Sequence, residues 1–176
     1  PQGNYEPIIP LIAPTKIQVA TFLGKYKPTE KTALDFEIGI SNNDKNLFSS
    51  LDDGNNKGLA GKINAKQRLF TKKWSLDAFT NYQFIQRDFR SVERLYTIEF
   101  DRDWNIGTAG IGNQSLLVSG LELQLNPKPN TFNKGLLLYQ FEKLDFSDNF
   151  SGNRHILNGR FQLKDWNFNT HGSVLK

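Results

Sequence analysis

Along most of this chain, apolar and polar side chains alternate one by one, in runs too long for ordinary globular sheets. Residues 31–41 set Leu34, Phe36, Ile38 and Ile40 on one side and Asp35, Glu37, Gly39 and Ser41 on the other. Residues 58–70 set Leu59, Ile63, Ala65 and Leu69 against Lys62, Asn64, Lys66 and Arg68. Glu93–Ile106 sets Tyr96, Ile98, Phe100 and Trp104 against Glu93, Thr97, Glu99, Asp101 and Asp103. A period of two is that of a β-strand, whose side chains point to opposite faces in turn. No apolar stripe of helical period persists over about ten residues, so an all-β chain is expected.

Turn-forming Asn, Asp, Ser, Gly and Pro separate the runs. Strands are expected at 16–26, 31–41, 58–70, 74–85, in the 93–106 stretch up to a tight turn at Asp103-Trp104-Asn105, from that turn to about 111, and at 115–126, 134–144, 154–164 and 166–174. That makes an antiparallel up-and-down meander of about ten strands, most about 10–13 residues long against a usual mode of about 5–6. Residues 1–14 hold Pro1, Pro7, Pro10 and Pro14 and read as an extended lead-in, since proline cannot donate to a ladder. Residues 15–176 form one β segment. Long connections (42–57, 86–91, 145–153) alternate with short ones, among which 127–133 is placed. Long loops at one end and short turns at the other are characteristic of outer-membrane barrels.

The three tryptophans recur in related phrases. Residues 101–110 read DRDWNIGTAG and residues 163–172 read LKDWNFNTHG, with Trp74 as a weaker third relative. The intervals of 30 and 62 residues imply a repeat of roughly 31, about two strands with their connections. Trp74, Trp104 and Trp166 are therefore expected at the short-turn end, as an interfacial aromatic girdle.

The polar sides carry charges whose sign changes from strand to strand. Asp35 and Glu37 are followed by Lys62, Lys66 and Arg68, then by Glu99, Asp101 and Asp103, then by Arg154, Arg160 and Lys164. Inside a barrel they would form a charge ladder lining a polar lumen; on a soluble sheet they would be solvated surface residues. Any membrane crossing must be by a closed β-barrel, because no apolar run approaches the roughly 20 residues a membrane helix needs. The net charge of +4 is spread among acidic residues, not gathered on one face, so nucleic acid is not an expected partner. Without cysteine, neither a disulfide framework nor a thiolate metal site can form.

Three phrases, Ser41–Gly61 (SNNDKNLFSSLDDGNNKGLAG), Glu93–Asn105 (ERLYTIEFDRDWN) and Pro10–Pro14 (PLIAP), resemble large outer-membrane β-barrel proteins of the Bacteroidota, over about residues 4–176. The resemblance implies an outer-membrane location, outer-membrane lipid as the surroundings, and a longer parent chain or envelope partner proteins. It brings no catalytic residue and no cofactor. Such barrels end on an aromatic residue, whereas this chain ends Ser173-Val174-Leu175-Lys176, and an internal fragment is expected.

Other chemistry is thin. Asp44, Asp52 and Asp53 sit in an Asn-rich loop with oxygen ligands suited to Ca²⁺, but without EF-hand spacing; Asx turns are the more ordinary reading of such a loop. Glu99, Asp101 and Asp103 on one strand face would stand about 6–7 Å apart, a carboxylate spacing used in glycoside hydrolysis. His155 and His171 lack a nucleophile elbow. The expected function is a non-enzymatic barrel wall for transport, secretion or surface display. The alternatives are a soluble carbohydrate-binding β-sandwich or jelly roll that uses its tryptophans as stacking platforms, and an outer-membrane hydrolase that uses a histidine.

Overall fold

The computed structural model describes residues 12–51, 53–107, 110–125 and 134–176. Their strands are β1 (Lys16–Thr29), β2 (Thr32–Asp44), β3 (Lys57–Thr71), β4 (Trp74–Ile85), β5 (Gln114–Leu125), β6 (Lys134–Phe146), β7 (Phe150–Leu163) and β8 (Trp166–Leu175). They form one antiparallel sheet in sequence order. The architecture is the all-β meander expected, with eight strands in place of about ten. Strand lengths run from 10 to 15 residues, and β4 starts and ends where its alternation does. Residues 1–11, Asp52, 108–109 and 126–133 lie outside the described residues, and with them most of the expected lead-in and the 127–133 connection.

The missing pair of strands is residues 93–111. Its described residues, 93–107 and 110–111, are irregular and contain one helical turn, α1 (Phe100–Asp103). Tyr96, Phe100 and Trp104 satisfy a period of two, but their spacing of four also satisfies a helix. The helical reading prevails: Asp103 N–H and Trp104 N–H donate to the carbonyls of Glu99 and Phe100 at 2.8 and 3.1 Å. The Tyr96 and Phe100 rings stack at 4.1 Å between centroids. Asn105 then takes a left-handed φ of 52°, with Asn105 N–H donating to Arg102 O and Ile106 N–H to Asp101 O. This is the Schellman stop with asparagine in the position usually held by glycine.

The second DWN phrase does something different. Asp165 ends a two-residue turn after Lys164, itself at φ 51°, and Trp166 opens β8. The sequence repeat is therefore not a structural repeat. Trp74 and Trp166 stand at the end of the two-residue turns (30–31, 72–73, 164–165), whereas Trp104 belongs to the connection 86–113 at the opposite end. The expected long loop 145–153 is also corrected. β6 and β7 are joined by residues 147–149 alone, because Asp145 and Ser151 pair across the strands and the Ser151 hydroxyl donates to Asp145 at 2.6 Å.

The register assigns each residue to a side. One side carries Phe22, Phe36, Ile38, Ile40, Ile63, Leu76, Tyr82, Leu121, Leu123 and Phe168. The other carries Asp35, Glu37, Lys62, Asn64, Lys66, Asp77, Asn81, Glu122, Glu142 and Arg154, with Leu116, Leu138 and Leu144 among them on β5 and β6. The apolar side is the exposed one. Ile40 is 55% accessible while Ser41, its neighbour on the other side, is 0%. Large apolar groups buried among the described residues are Ile85, Trp104 and Leu144. Ile85 and Leu144 both lie on the polar side, and Trp104 comes from the connection that crosses it.

Candidate functional site

The connection 86–113, here called the strap, joins β4 to β5, and its described residues, 86–107 and 110–113, fold back over the polar side. Its two legs are tied to the 147–149 turn. Arg87 pairs with Asp148, Asn113 N–H donates to Ser147 Oγ at 3.0 Å, and Ile111 N–H donates to Asn149 Oδ1 at 2.8 Å.

Between the legs, three aromatic anchors reach successive strands. Phe89 lies against Gly39 of β2 and Gly58 of β3, two glycines whose missing side chains leave room for it. Beside it, Arg90 N–H donates to the buried Ser41 hydroxyl at 2.9 Å. The Tyr96 hydroxyl accepts from the amides of Gln83 (β4) and Gln114 (β5) at 2.8 and 2.7 Å. Trp104, 2% accessible, lies over Gly152 of β7, the register partner of Leu144. The strap thus spans β2 to β7 on one side of the sheet.

The Trp104 anchor is also electrostatic. The Arg154 guanidinium sits 4.7 Å from the indole ring, a cation–π distance. Two of its nitrogens bond Glu142 Oε2 at 2.7 and 2.5 Å, while the Gln140 amide bonds Oε1 of the same carboxylate. Glu142 is 6% accessible, so removing its cation strands a buried charge, at a typical cost of about 3–5 kcal/mol. Arg154→Met is expected to lower stability by about 3 kcal/mol in chemical denaturation. The double variant Glu142→Gln/Arg154→Met should recover much of the loss, since it leaves no unpaired charge.

The Tyr96 phenol is pushed from its ordinary value near 10 up to about 12 by burial, with the Gln83 hydrogen bond pulling the other way. A phenol whose folded value is raised favours the fold while it is protonated. This contribution is complete below pH 10 and disappears as pH rises through about 12. Phenolate absorbance near 295 nm should therefore show one late-titrating tyrosine, whose ionisation coincides with release of the strap. A Gln83→Leu variant, which removes the hydrogen bond that pulls the value down, should ionise Tyr96 later still.

The expected charge ladder is assembled differently from its sequence pattern. Lys66 and Arg68 converge on Asp77 of β4, with Lys66 Nζ at 2.9 Å and Arg68 Nε at 2.8 Å. Asp35 and Glu37 share the polar side with them and face Asn64 and Lys62 across the β2–β3 register. Arg154 pairs with Glu142, while Arg160 faces Asn169 on the polar side and Lys164 sits in the β7–β8 turn. Glu99, Asp101 and Asp103 leave the ladder altogether. They lie on or beside α1, where Glu99 and Asp103 reach Arg102 at 2.8 and 3.8 Å. Asp77 alternates with Leu76 and Ala78, so its side is legible in the sequence but its role as the acceptor is not. Alternation gave no signal for Glu142, because β6 mixes leucines into its polar side.

In the acidic loop Asp44 makes an Asx turn and Asp53 bonds a side-chain amide. Asp44 Oδ1 accepts from Asn46 N–H, and Asp53 Oδ1 from the Asn56 amide, both at 2.9 Å. Asp52 lies outside the described residues, and among those described no three metal-ligating side chains come together. The histidines are on opposite sides of the sheet. His155 Nδ1 lies 2.9 Å from the Tyr139 hydroxyl on the apolar side, and His171 Nδ1 lies 2.5 Å from Asn158 Oδ1 on the polar side. No known protein family, curated protein or solved structure matches the chain.

Proposed function

We propose that this chain is wall of an outer-membrane β-barrel, with lipid against the apolar side and a water-filled interior against the polar side. The observation that carries the proposal is the inverted burial: exposed aromatics and aliphatics on one side, buried Ser41, Asp77, Gln114 and Glu142 on the other. An exposed apolar area of this size calls for a partner, and lipid is the partner that matches its length. On β4 the apolar side runs in register from Trp74 to Phe84, interrupted by Thr80, whose hydroxyl pairs with that of Ser119 on β5. At a strand rise of about 3.3 Å this is about 33 Å, and a tilt of about 40° reduces it to about 25 Å, the height of a lipid-facing band. Gln18, Asn42 and Lys57 close the band at the loop end, in one cross-strand row. Tyr26, Trp74 and Trp166 mark the turn end, as an interfacial girdle would; the buried Trp104 does not join it.

The strap bears on the size of the barrel. An eight-stranded barrel has an interior just wide enough for its own side chains. A polar side that also accommodates residues 88–106 needs a wider one, so the wall continues beyond the strands described. The role is passage or display across the outer membrane, with the strap narrowing the interior, and no chemical step is assigned to it. Refolding from denaturant tests this. The chain is expected to reach a folded, heat-modifiable form in detergent or liposomes and to aggregate in plain buffer. A folded monomer in plain buffer would instead favour the soluble sheet, with Trp166, 80% accessible, as its stacking platform.

A further inference from the structure

We propose that the hollow between the strap and strands β2–β4 binds a small zwitterion with an apolar side chain, of which leucine is the simplest case. The hollow has a volume of about 220 Å³, below the roughly 300–1,000 Å³ of drug-sized pockets and suited to a solute of amino-acid size. Its apolar part is built from absence as much as presence. Gly39 and Ala60, register partners, leave a shallow floor, and Phe89 and Leu95 of the strap overhang it.

The rim carries two opposite charges. Glu37 and Lys62 are register partners on the polar side, which sets their Cβ atoms about 4.5–5.5 Å apart. Among the described residues neither enters an ion pair or a side-chain hydrogen bond. Lys66 and Arg68, by contrast, are committed to Asp77, and Arg154 to Glu142. A ligand ammonium at Glu37 and a ligand carboxylate at Lys62 would leave a side chain on the same carbon directed into the hollow beneath Phe89. The inference depends on the polar side alone and not on what covers the apolar side.

Isothermal titration calorimetry of the full chain folded in detergent micelles tests it, with leucine as titrant. Leucine is expected to bind saturably, and N-acetyl-leucine amide, which keeps the side chain without either charge, is expected not to. Glu37→Gln and Lys62→Gln, both at exposed positions, should each weaken binding by about tenfold or more. Ala60→Leu, which fills the hollow, should abolish it. Overturning results are no leucine heat from folded protein, affinity unchanged in both charge variants, or equal heat from glucose. A chain that folds in micelles but ignores leucine removes this inference and leaves the barrel wall standing. One that folds in plain buffer and binds leucine does the reverse.

Discussion

Leu121→Arg is expected to block folding into lipid bilayers, while Asn81→Arg leaves it nearly intact. Leu121 lies on the apolar side of β5, between Ala78 and Tyr139 in the register, near the middle of the band. Asn81 lies three residues along from Ala78 on the polar side, between Asn64 and Val118. An arginine facing lipid at the bilayer midplane costs about 2–4 kcal/mol, and one facing water costs little. The pair is informative because Leu121 is 44% accessible. On a soluble sheet, a charge at so open a site would be neutral or would improve solubility. Folded fraction in liposomes, read by gel mobility and urea titration, separates the two cases. Equal tolerance of both substitutions would falsify the lipid-facing assignment.

Trp104→Ala is expected to free the strap while the sheet stays folded. Truncating a buried Trp costs about 3–5 kcal/mol. Here the loss falls on one segment, because Trp104 is the strap's buried side chain against β7 and the neighbouring strands are held by their own ladders. Local opening of this kind appears as protease sensitivity before global unfolding. Arg87, Arg90, Arg94 and Arg102 give trypsin four sites within the strap. Cleavage there should accelerate by about a hundredfold or more, the factor that about 3 kcal/mol of lost local stability implies. Trp166→Ala removes the same side chain from an exposed position and should change the cleavage rate little. If the interior conducts ions, Trp104→Ala should also raise its conductance. Identical digestion of both variants and the parent would mean the strap is held by something other than this anchor.

Both predictions rest on features of different legibility. The side of the sheet on which Leu121 and Asn81 fall can be read from alternation, since a strand offers its residues two directions and the pattern names which is which. The edges of β4 and the hairpin at Lys72–Lys73 were equally plain, because Lys-rich turn residues interrupt an otherwise continuous alternation. Residues 93–106 were misread for a physical reason. Rings at positions 96, 100 and 104 obey a period of two and a period near four at once, and local pattern cannot choose between them. The choice was made by Gln83, Gln114 and Arg154, which come from three different strands and hold Tyr96 and Trp104 where a strand could not place them.

The same distinction governs the charges. Sequence marked Lys66 and Arg68 as polar-side cations, but their acceptor, Asp77, lies across a β3–β4 register that a bulge between Arg68 and Phe70 readjusts. It marked Arg154 without Glu142, because pairing between β6 and β7 sets those two opposite each other. By itself, then, the sequence determined an antiparallel sheet of long strands with one apolar and one polar side, since side-chain direction in a strand follows from backbone geometry alone. Only the tertiary structure decided that, among the described residues, the apolar side is the exposed one, that a supposed pair of strands crosses the polar side as a strap, and which charges meet. Those outcomes depend on contacts between residues distant in the chain, which no local periodicity encodes.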